Sequence, residues 1–508
     1  MHFQLHLNPM DVYNKFHNST FIIVGGGTAG LISALMLKKF SPKINITIIK
    51  SSQIGIIGVG EGSTEHLQDF IEYTEIDFKE LIANTGATIK MGIQFKDWAY
   101  LGNEYPHSIF SPPIISEKGN LEIYNNIVIN ESQNPYCLSE GFTQYYLNNN
   151  LGYADLDKPI SNQYHFDTFK LNEFLLKKCK EREINILETK VQDIKLDSQG
   201  NISQLVTDTG LVNGDFFIDA SGFNKVLSSK LGSKWVSYQD YLPMNRSITL
   251  ATPLNLKKGI EPYTLTKALK SGWRWKIPTQ TRYGNGYVFC DEFTTPEEAL
   301  IEFNKDLNTN FEEYIKDIKF EAGRLDKFWV KNCVNIGLSS GFIEPLEAQS
   351  ISFSIIQTKA LIDHLNKWNY NKNISTIYNK LLVDSFDNIV DFVQSHYFSQ
   401  RTDSDFWKSD ILKYTLFNKE YKTLFSKGNF TSVDFDSNPY YLFSKSNFYQ
   451  IYFGLGLITP QNLLSQRLEN LESYNDYWYI EYKKSKIPIL NSIPHIEYLN
   501  LIKENHSL

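Results

Sequence analysis

No stretch of the 508 residues constrains the fold more than Thr20 to Lys38, TFIIVGGGTAGLISALMLK. It reads as a buried strand, a glycine turn and the first turns of a helix, with Gly25, Gly27 and Gly30 at the G-x-G-x-x-G positions. Those glycines serve a tight turn, a close backbone approach to a pyrophosphate, and close packing of helix on strand. The start of such a helix turns its unpaired N–H groups and positive dipole end toward phosphate, so no basic side chain is needed there. Ile44 to Ile49 (INITII) then completes a β-α-β unit of about the thirty residues expected. A dinucleotide cofactor is the first expectation, and a glycine turn without ligand the alternative. The uncharged window Ser19 to Leu37 is long enough to suggest a membrane span. Three consecutive glycines oppose that, each costing roughly 1 kcal/mol relative to Ala inside a helix.

Charge and cysteine usage narrow the function classes. A net charge of -7, with no long basic block, argues against a nucleic-acid partner. Cys137, Cys179, Cys290 and Cys333 are widely spaced and form neither a C-x-x-C pair nor a metal cluster. They read as reduced core thiols of a cytoplasmic protein, and the N-terminus lacks the basic and apolar regions of a secretory signal. The expected fold class is α/β, a Rossmann-like nucleotide-binding fold with β-meander insertions and a mainly helical C-terminal, substrate-binding region. The expected division is a module over 18–365, with inserted segments at about 100–160 and 235–290, and a helical region over 366–508 packed on it.

Lys50 ends the second strand, twenty residues after Gly30, where an Asp or Glu ordinarily holds the ribose hydroxyls. The departure leaves open a different ribose contact or a 2′-phosphate. Gly55 to Thr64 (GIIGVGEGST) is a glycine loop with one carboxylate, Glu61, able to lie flat against a planar ring. Ala87 to Trp98 alternates strictly, Ala87, Ile89, Met91, Ile93 and Phe95 on one face, so the pattern alone makes Lys90 a solvated strand lysine. Leu101 to Leu151 reads as a long loop over a site, and Phe166 to Lys178 as a short amphipathic helix. Strands with turns at Ser198–Asn201 and Thr209–Gly210 lead to FFIDASG, where Asp219 returns the chain to the nucleotide sheet. GWRWKIP (272–278) precedes an apparent hairpin at Tyr283-Gly284-Asn285-Gly286. After the strand and turn NCVNIGLSS, Glu344 and Glu347 sit three apart near the start of an apolar helix reaching Leu365, where the dipole favours carboxylates. Leu382, Phe386, Ile389, Val390, Val393 and Tyr397 have helical spacing, and the aromatics of 440–453 read as core.

Taken together, separated motifs resemble the FAD-dependent halogenases of the tryptophan-halogenase type. They are GGGTAG (25–30), IGVGEGST (57–64), the lysine of ATIKMGIQFKDW, FIDASGF (217–223), WRWKIP (273–278), IGLSSGFIEPLEAQSI (336–351), DFVQSHY and RTDSDFW. The resemblance implies FAD held by Gly25, Gly27, Thr28, Ala29, Gly30, Lys50, Gly58, Val59, Gly60, Glu61, Asp219, Gly337 and Ile351. It implies Lys90 and Glu347 as the catalytic pair. Trp273, Trp275, Pro278 and Glu344 would form the barrier and substrate side, and no metal is expected.

The activity so implied uses reduced FAD and O2 to oxidise a halide to hypohalous acid, which Lys90 delivers to an electron-rich aromatic of indole or phenol type. Glu347 would stabilise the cationic intermediate and take its proton. The N–H groups of Gln349 and Ser350, at a helix start, are assigned to the halide, since Ala348-Gln349-Ser350 replaces the usual Ser-Thr-Gly and backbone donors tolerate the change. A single dinucleotide fingerprint implies that a separate flavin reductase supplies FADH2. The expected partners are that reductase, the halide and a small aromatic substrate, with no membrane and a homo-oligomer allowed. Two alternatives stand beside this reading: a flavin-dependent aromatic hydroxylase, and a non-catalytic FAD-binding protein.

Overall fold

The glycine stretch folds as the β-α-β pattern predicts. In the computed structural model, which describes residues 18–56, 61–107, 151–153, 163–365, 372–411, 413–426, 438–458 and 492–506, strand β1 (Thr20–Val24) runs through the turn into helix α1 (Thr28–Phe40). Residues Gly30 to Leu37 of this helix are all buried, which explains the uncharged run up to Leu37 without a membrane. Lys38 and Lys39 in its last turn complement the negative end of the helix. Strand β2 (Asn45–Lys50) pairs parallel to β1, and β3 (Asn185–Glu188) pairs parallel to β2. On the other side β4 (Phe216–Asp219) pairs parallel to β1, and Cys333–Asn335 and Trp329–Val330 complete six strands. Strands buried on both faces read as continuous apolar runs, which is why FIIV and FFID were recognisable.

A second sheet of seven strands is ordered Lys316–Lys319, Arg246–Pro253, Arg282–Phe289, Gly272–Pro278, Thr264–Ala268, Ile93–Lys96, Glu104–His107. A three-stranded sheet, Glu61–Gly62, Tyr164–Phe166 and Thr88–Ile89, lies beside it. Three expectations need correction. The alternating run 87–98 is two strands: Thr88–Ile89 belongs to the small sheet and Ile93–Lys96 to the large one, with Lys90 at the crossing. Tyr283–Gly286 is no hairpin but the middle of a strand, and the turn falls at Thr279–Thr281. A Cβ at Gly286 would stand 1.9 Å from the Trp275 indole, so this glycine makes room for a ring on the neighbouring strand. Finally, the helix after the glutamates, α2, starts at Gln349 (Gln349–Leu365), so Glu344 and Glu347 precede it.

Helix α3 (Lys372–Ser395) and the later helices contribute to the same core as β1, a cluster running from Phe21 to Ile502. Tyr440, Phe443, Phe448, Tyr452 and Phe453 are buried in it, as core rather than wall. Cys179, Cys290 and Cys333 are buried free thiols. Cys137 and most of the expected 101–151 loop lie outside the described residues. Among the described residues no helix is long and apolar enough to cross a membrane, and no group of side chains could hold a metal ion.

Candidate active site

The cradle for a dinucleotide is built by backbone proximity. A Cβ on Gly30 would meet the Gly25 carbonyl at 2.0 Å, and one on Gly25, whose φ is +126°, would meet the Ala220 carbonyl at 2.1 Å. Both positions admit only hydrogen. Gly27, by contrast, faces open space and caps α1 without a side-chain hydrogen bond, leaving the N–H groups at Thr28 and Ala29 facing an anion's place. These residues therefore fit the pyrophosphate of FAD. Gly337, at φ +73°, presses its turn on Ala29, and Ile351 is buried in the first turn of α2, which packs on α1. Gly58, Val59 and Gly60 lie outside the described residues, and Glu61 opens the strand Glu61–Gly62. Asp219 stands at the mouth of β4, but its carboxylate accepts from Ser221, Leu227 and Ser228, so it shapes the turn.

Lys90 is not solvated. Its side chain is fully buried, and Nζ donates to the Ser63 carbonyl at 2.7 Å, at the junction of the two smaller strands with the large sheet. Burial lowers its ammonium to about 8, against the opposing charges of Glu347 and Glu65. Glu347 is equally buried. His107 Nδ1 contacts both its oxygens at 3.0–3.1 Å, and His396 Nε2 lies 2.8 Å from Oε1. Burial pushes the Glu347 carboxyl up, but His107 and His396 more than offset this and hold it at about 2. The other nitrogen of His396 faces the Phe392 carbonyl at 2.9 Å. With both ring nitrogens aimed at acceptors, a shared proton must sit on the His396–Glu347 contact. Asn447 donates to His107 Nε2 at 3.2 Å, leaving Nδ1 as the donor toward Glu347.

Beside this pair runs a wall of rings. Trp98 contacts His396, Tyr397 and Trp273 at centroid distances of 6.1, 5.6 and 6.4 Å, and Trp273 contacts Trp275 at 5.9 Å. Alternation along Gly272–Pro278 puts Trp273, Trp275 and Ile277 on the core face. Glu344 Oε2 accepts from Trp273 Nε1 at 2.5 Å and Tyr397 Oη at 2.6 Å, so Glu344 positions the wall. Its other oxygen is buried without a hydrogen-bond partner, and burial raises its carboxyl to about 7 despite those two donors. The Pro278 carbonyl accepts from Thr88 Oγ1 at 2.8 Å, tying the wall to the strand before Lys90.

The turn between the two glutamates and α2 is pinned by its own side chain. Gln349 Oε1 accepts from Glu347 N at 3.2 Å, and Nε2 donates to the Glu344 carbonyl at 2.7 Å. Ala348 is left-handed, at φ +56°, which delays the helix until Gln349. The helix carries no acid in its first turn, and Gln349 and Ser350 line a small cleft with Gly337, Phe342 and Phe353. The first N–H groups of a helix have no intrahelical partner, and here the helix starts at the lining of that cleft.

Sequence reasoning missed His107, His396, Tyr397 and Asn447 as site residues. DFVQSHY and an aromatic-rich C-terminal region were visible, but no spacing rule joins residues 107, 347, 396 and 447. Comparison with known proteins agrees with the geometry. The family model described as tryptophan halogenase matches residues 20–468. The chain is 32% identical over 421 residues to the tryptophan 6-halogenase SttH of Streptomyces toxytricini, covering 76% of this chain and 80% of that protein. It is 30% identical over 494 residues to the tryptophan 7-halogenase RebH of Lentzea aerocolonigenes, covering 90% and 93%. Tar14, a tryptophan C-6 flavin-dependent halogenase from taromycin biosynthesis, superposes with a TM-score of 0.82 at 25% identity, over 96% of this chain and all of that one.

Proposed function

Because this chain belongs to the tryptophan halogenase family of FADH2- and O2-dependent enzymes, we propose that Lys90 and Glu347 carry halogen transfer to an electron-rich aromatic ring of indole or phenol type. The observation that carries this is the burial of both charged groups in one another's field, with Glu347 clamped by two histidines. A buried lysine and carboxylate of this kind have no part in holding FAD, and each is costly to bury without a task.

Bound reduced FAD, supplied by a separate flavin reductase, supplies the oxidation by O2 of halide and a proton to hypohalous acid, with water as the second product. The N–H groups of Gln349 and Ser350 hold the halide where the helix start lines the cleft. Lys90 holds the hypohalous acid. As an ammonium it donates to the oxygen and polarises the O–X bond; as an amine, which its lowered pKa makes accessible, it forms an N–X bond with loss of water. Carbon attack then moves X to the ring and leaves a cation that has one proton too many. Glu347 faces that cation as a carboxylate and takes the proton. The Trp273–Trp275 wall keeps the organic ring apart from the flavin. The tryptophan named for SttH and RebH supports an indole as the first substrate to try. The reading places residues 18–365 as the FAD-binding module, with substrate-region segments inserted at about 100–160 and 235–290, residues 366–508 as a mainly helical region packed on it, and the enzyme in the cytoplasm.

Single turnovers with FADH2, O2, chloride or bromide, and a mixture of indoles and phenols test it by mass spectrometry. Halogen mass shifts are expected from the parent, and from Lys90→Met a chromogenic trap should report leaked hypohalous acid with product down about a hundredfold or more. Oxygen mass shifts instead would identify a hydroxylase. Full halogenation by Lys90→Met would remove Lys90 from the mechanism.

A further inference from the structure

Lys50 stands where a carboxylate ordinarily accepts the hydroxyls of the adenosine ribose. The sheet shows where that carboxylate went. β3 pairs parallel with β2 in a register that sets Glu188 directly beside Lys50, both at the carboxyl ends of their strands. The stem of Lys50 lies across the glycine turn: a Cβ on Gly26 would meet Lys50 Cβ at 2.6 Å and Cδ at 3.2 Å. Its ammonium reaches the Glu188 carboxylate at 3.4 Å. The other Glu188 oxygen accepts the Ser52 N–H, so the carboxylate is held from β2's own continuation and over the end of β2. Side-chain exposures of 27% for Lys50 and 53% for Glu188 leave the lysine as the inner clamp and the carboxylate open to a ligand.

We propose that Glu188 supplies the acceptor for the adenosine ribose hydroxyls of FAD, one strand away from its ordinary place, with Lys50 as the positioning residue that holds it there. A carboxylate has about four lone-pair directions; Ser52, through its N–H and side chain, and Lys50 take part of them, and the exposed side of Glu188 is left for the ribose hydroxyls. The ion pair also settles which of the two roles left open for Lys50 applies. Glu188 cancels the positive charge that a 2′-phosphate would need and adds a negative one beside it, so the site takes an unphosphorylated ribose. The Ser52 N–H and the nearby Lys50 hold Glu188 below the ordinary carboxylate range, keeping it an acceptor throughout the neutral range.

The full-length protein tests this by binding alone. FAD and its competitors ADP, 2′-deoxy-ADP and ADP bearing a 2′-phosphate are titrated by flavin fluorescence against the parent, Glu188→Ala and the charge swap Lys50→Glu with Glu188→Lys. The parent should bind ADP about tenfold or more tighter than 2′-deoxy-ADP, because a hydrogen bond to a charged acceptor is lost. Glu188→Ala should weaken ADP by a similar factor and erase that preference, while the swap, which restores an acid at the end of β2, should regain it. Melting temperatures within a degree or two of the parent separate this from a surface ion pair that merely stabilises the fold. An unchanged preference for ADP over 2′-deoxy-ADP in Glu188→Ala overturns the assignment. So does tighter binding of the 2′-phosphorylated competitor than of ADP by the parent, which would make Lys50 a phosphate ligand.

Discussion

Lys90 keeps an ammonium where water does not reach, and stability records it. Its proton is held to about pH 8 in the fold and to about 10.5 in the unfolded chain. Between those values the unfolded chain binds more protons, so stability rises with pH. Lys90→Met lacks this dependence: whatever advantage it has over the parent at pH 7 should shrink by on the order of 3 kcal/mol between pH 8 and 10.5. Thermal melts across that range check it, and parallel curves would mean that Lys90 is not buried as a charge. Glu344 gives the opposite slope. Burial raises its carboxyl from 4.5 to about 7, so between these values the folded chain binds more protons and stability falls as pH rises. Glu344→Gln keeps an acceptor for Trp273 and Tyr397 and should gain on the parent by on the order of 3 kcal/mol from pH 4.5 to 7, read by urea midpoints at each pH. Neither residue's burial was readable from its neighbours in sequence. Alternation predicts which face a side chain takes, but whether that face meets water depends on what packs there, and for Lys90 that is the strand and turn at Gly62 and Ser63.

The strand Gly272–Pro278 and its partner Arg282–Phe289 show how an element can be recognised and still be misread. W-x-W-x-I-P was identified because period-two patterning is local. Gly284-Asn285-Gly286 reads as a turn by composition, yet Gly286 answers to the Trp275 ring, eleven positions away in sequence and opposite in register. Gly286→Ala should therefore act through Trp275: a destabilisation of about 1–3 kcal/mol, with the indole displaced from the wall. Near-ultraviolet circular dichroism and the regioselectivity of halogenation should change together, while FAD affinity holds. A normal Trp signal would show that the strand yields elsewhere. The same distinction explains the run 87–98, whose two halves share one alternation although they pair in different sheets. It explains the glutamates too, which sit ahead of α2 because Pro345 and left-handed Ala348 hold the chain out of helix. The nucleotide turn was legible because glycine spacing, strand and helix are contiguous; the histidine clamp was not, because it is made only by tertiary closure.

Across the whole molecule, a helix near the far end of the chain reaches the residue beside Lys90. His495, first residue of the helix His495–His506, accepts the Ile89 N–H through Nε2 at 3.1 Å and donates from Nδ1 to the Ile260 carbonyl at 3.0 Å. Burial lowers its pKa to about 4, keeping it neutral as that pattern requires. His495→Ala strands a buried N–H next to Lys90. It should cost about 1–3 kcal/mol and raise hypohalous acid leakage relative to product, with FAD binding unchanged. Leakage at the parent's level would make this contact structural only. The sheet has a comparable reach: β1 is flanked by β4, and β4 by Cys333–Asn335. At a translation rate of about 5–20 residues per second, β1 waits about ten to forty seconds on the ribosome for β4 to appear. Throughout that interval β1 has β2 on one side while its other edge waits for β4, and that unpaired edge must be shielded. Slower initiation and abundant chaperone should therefore govern soluble yield more than any change at the active site.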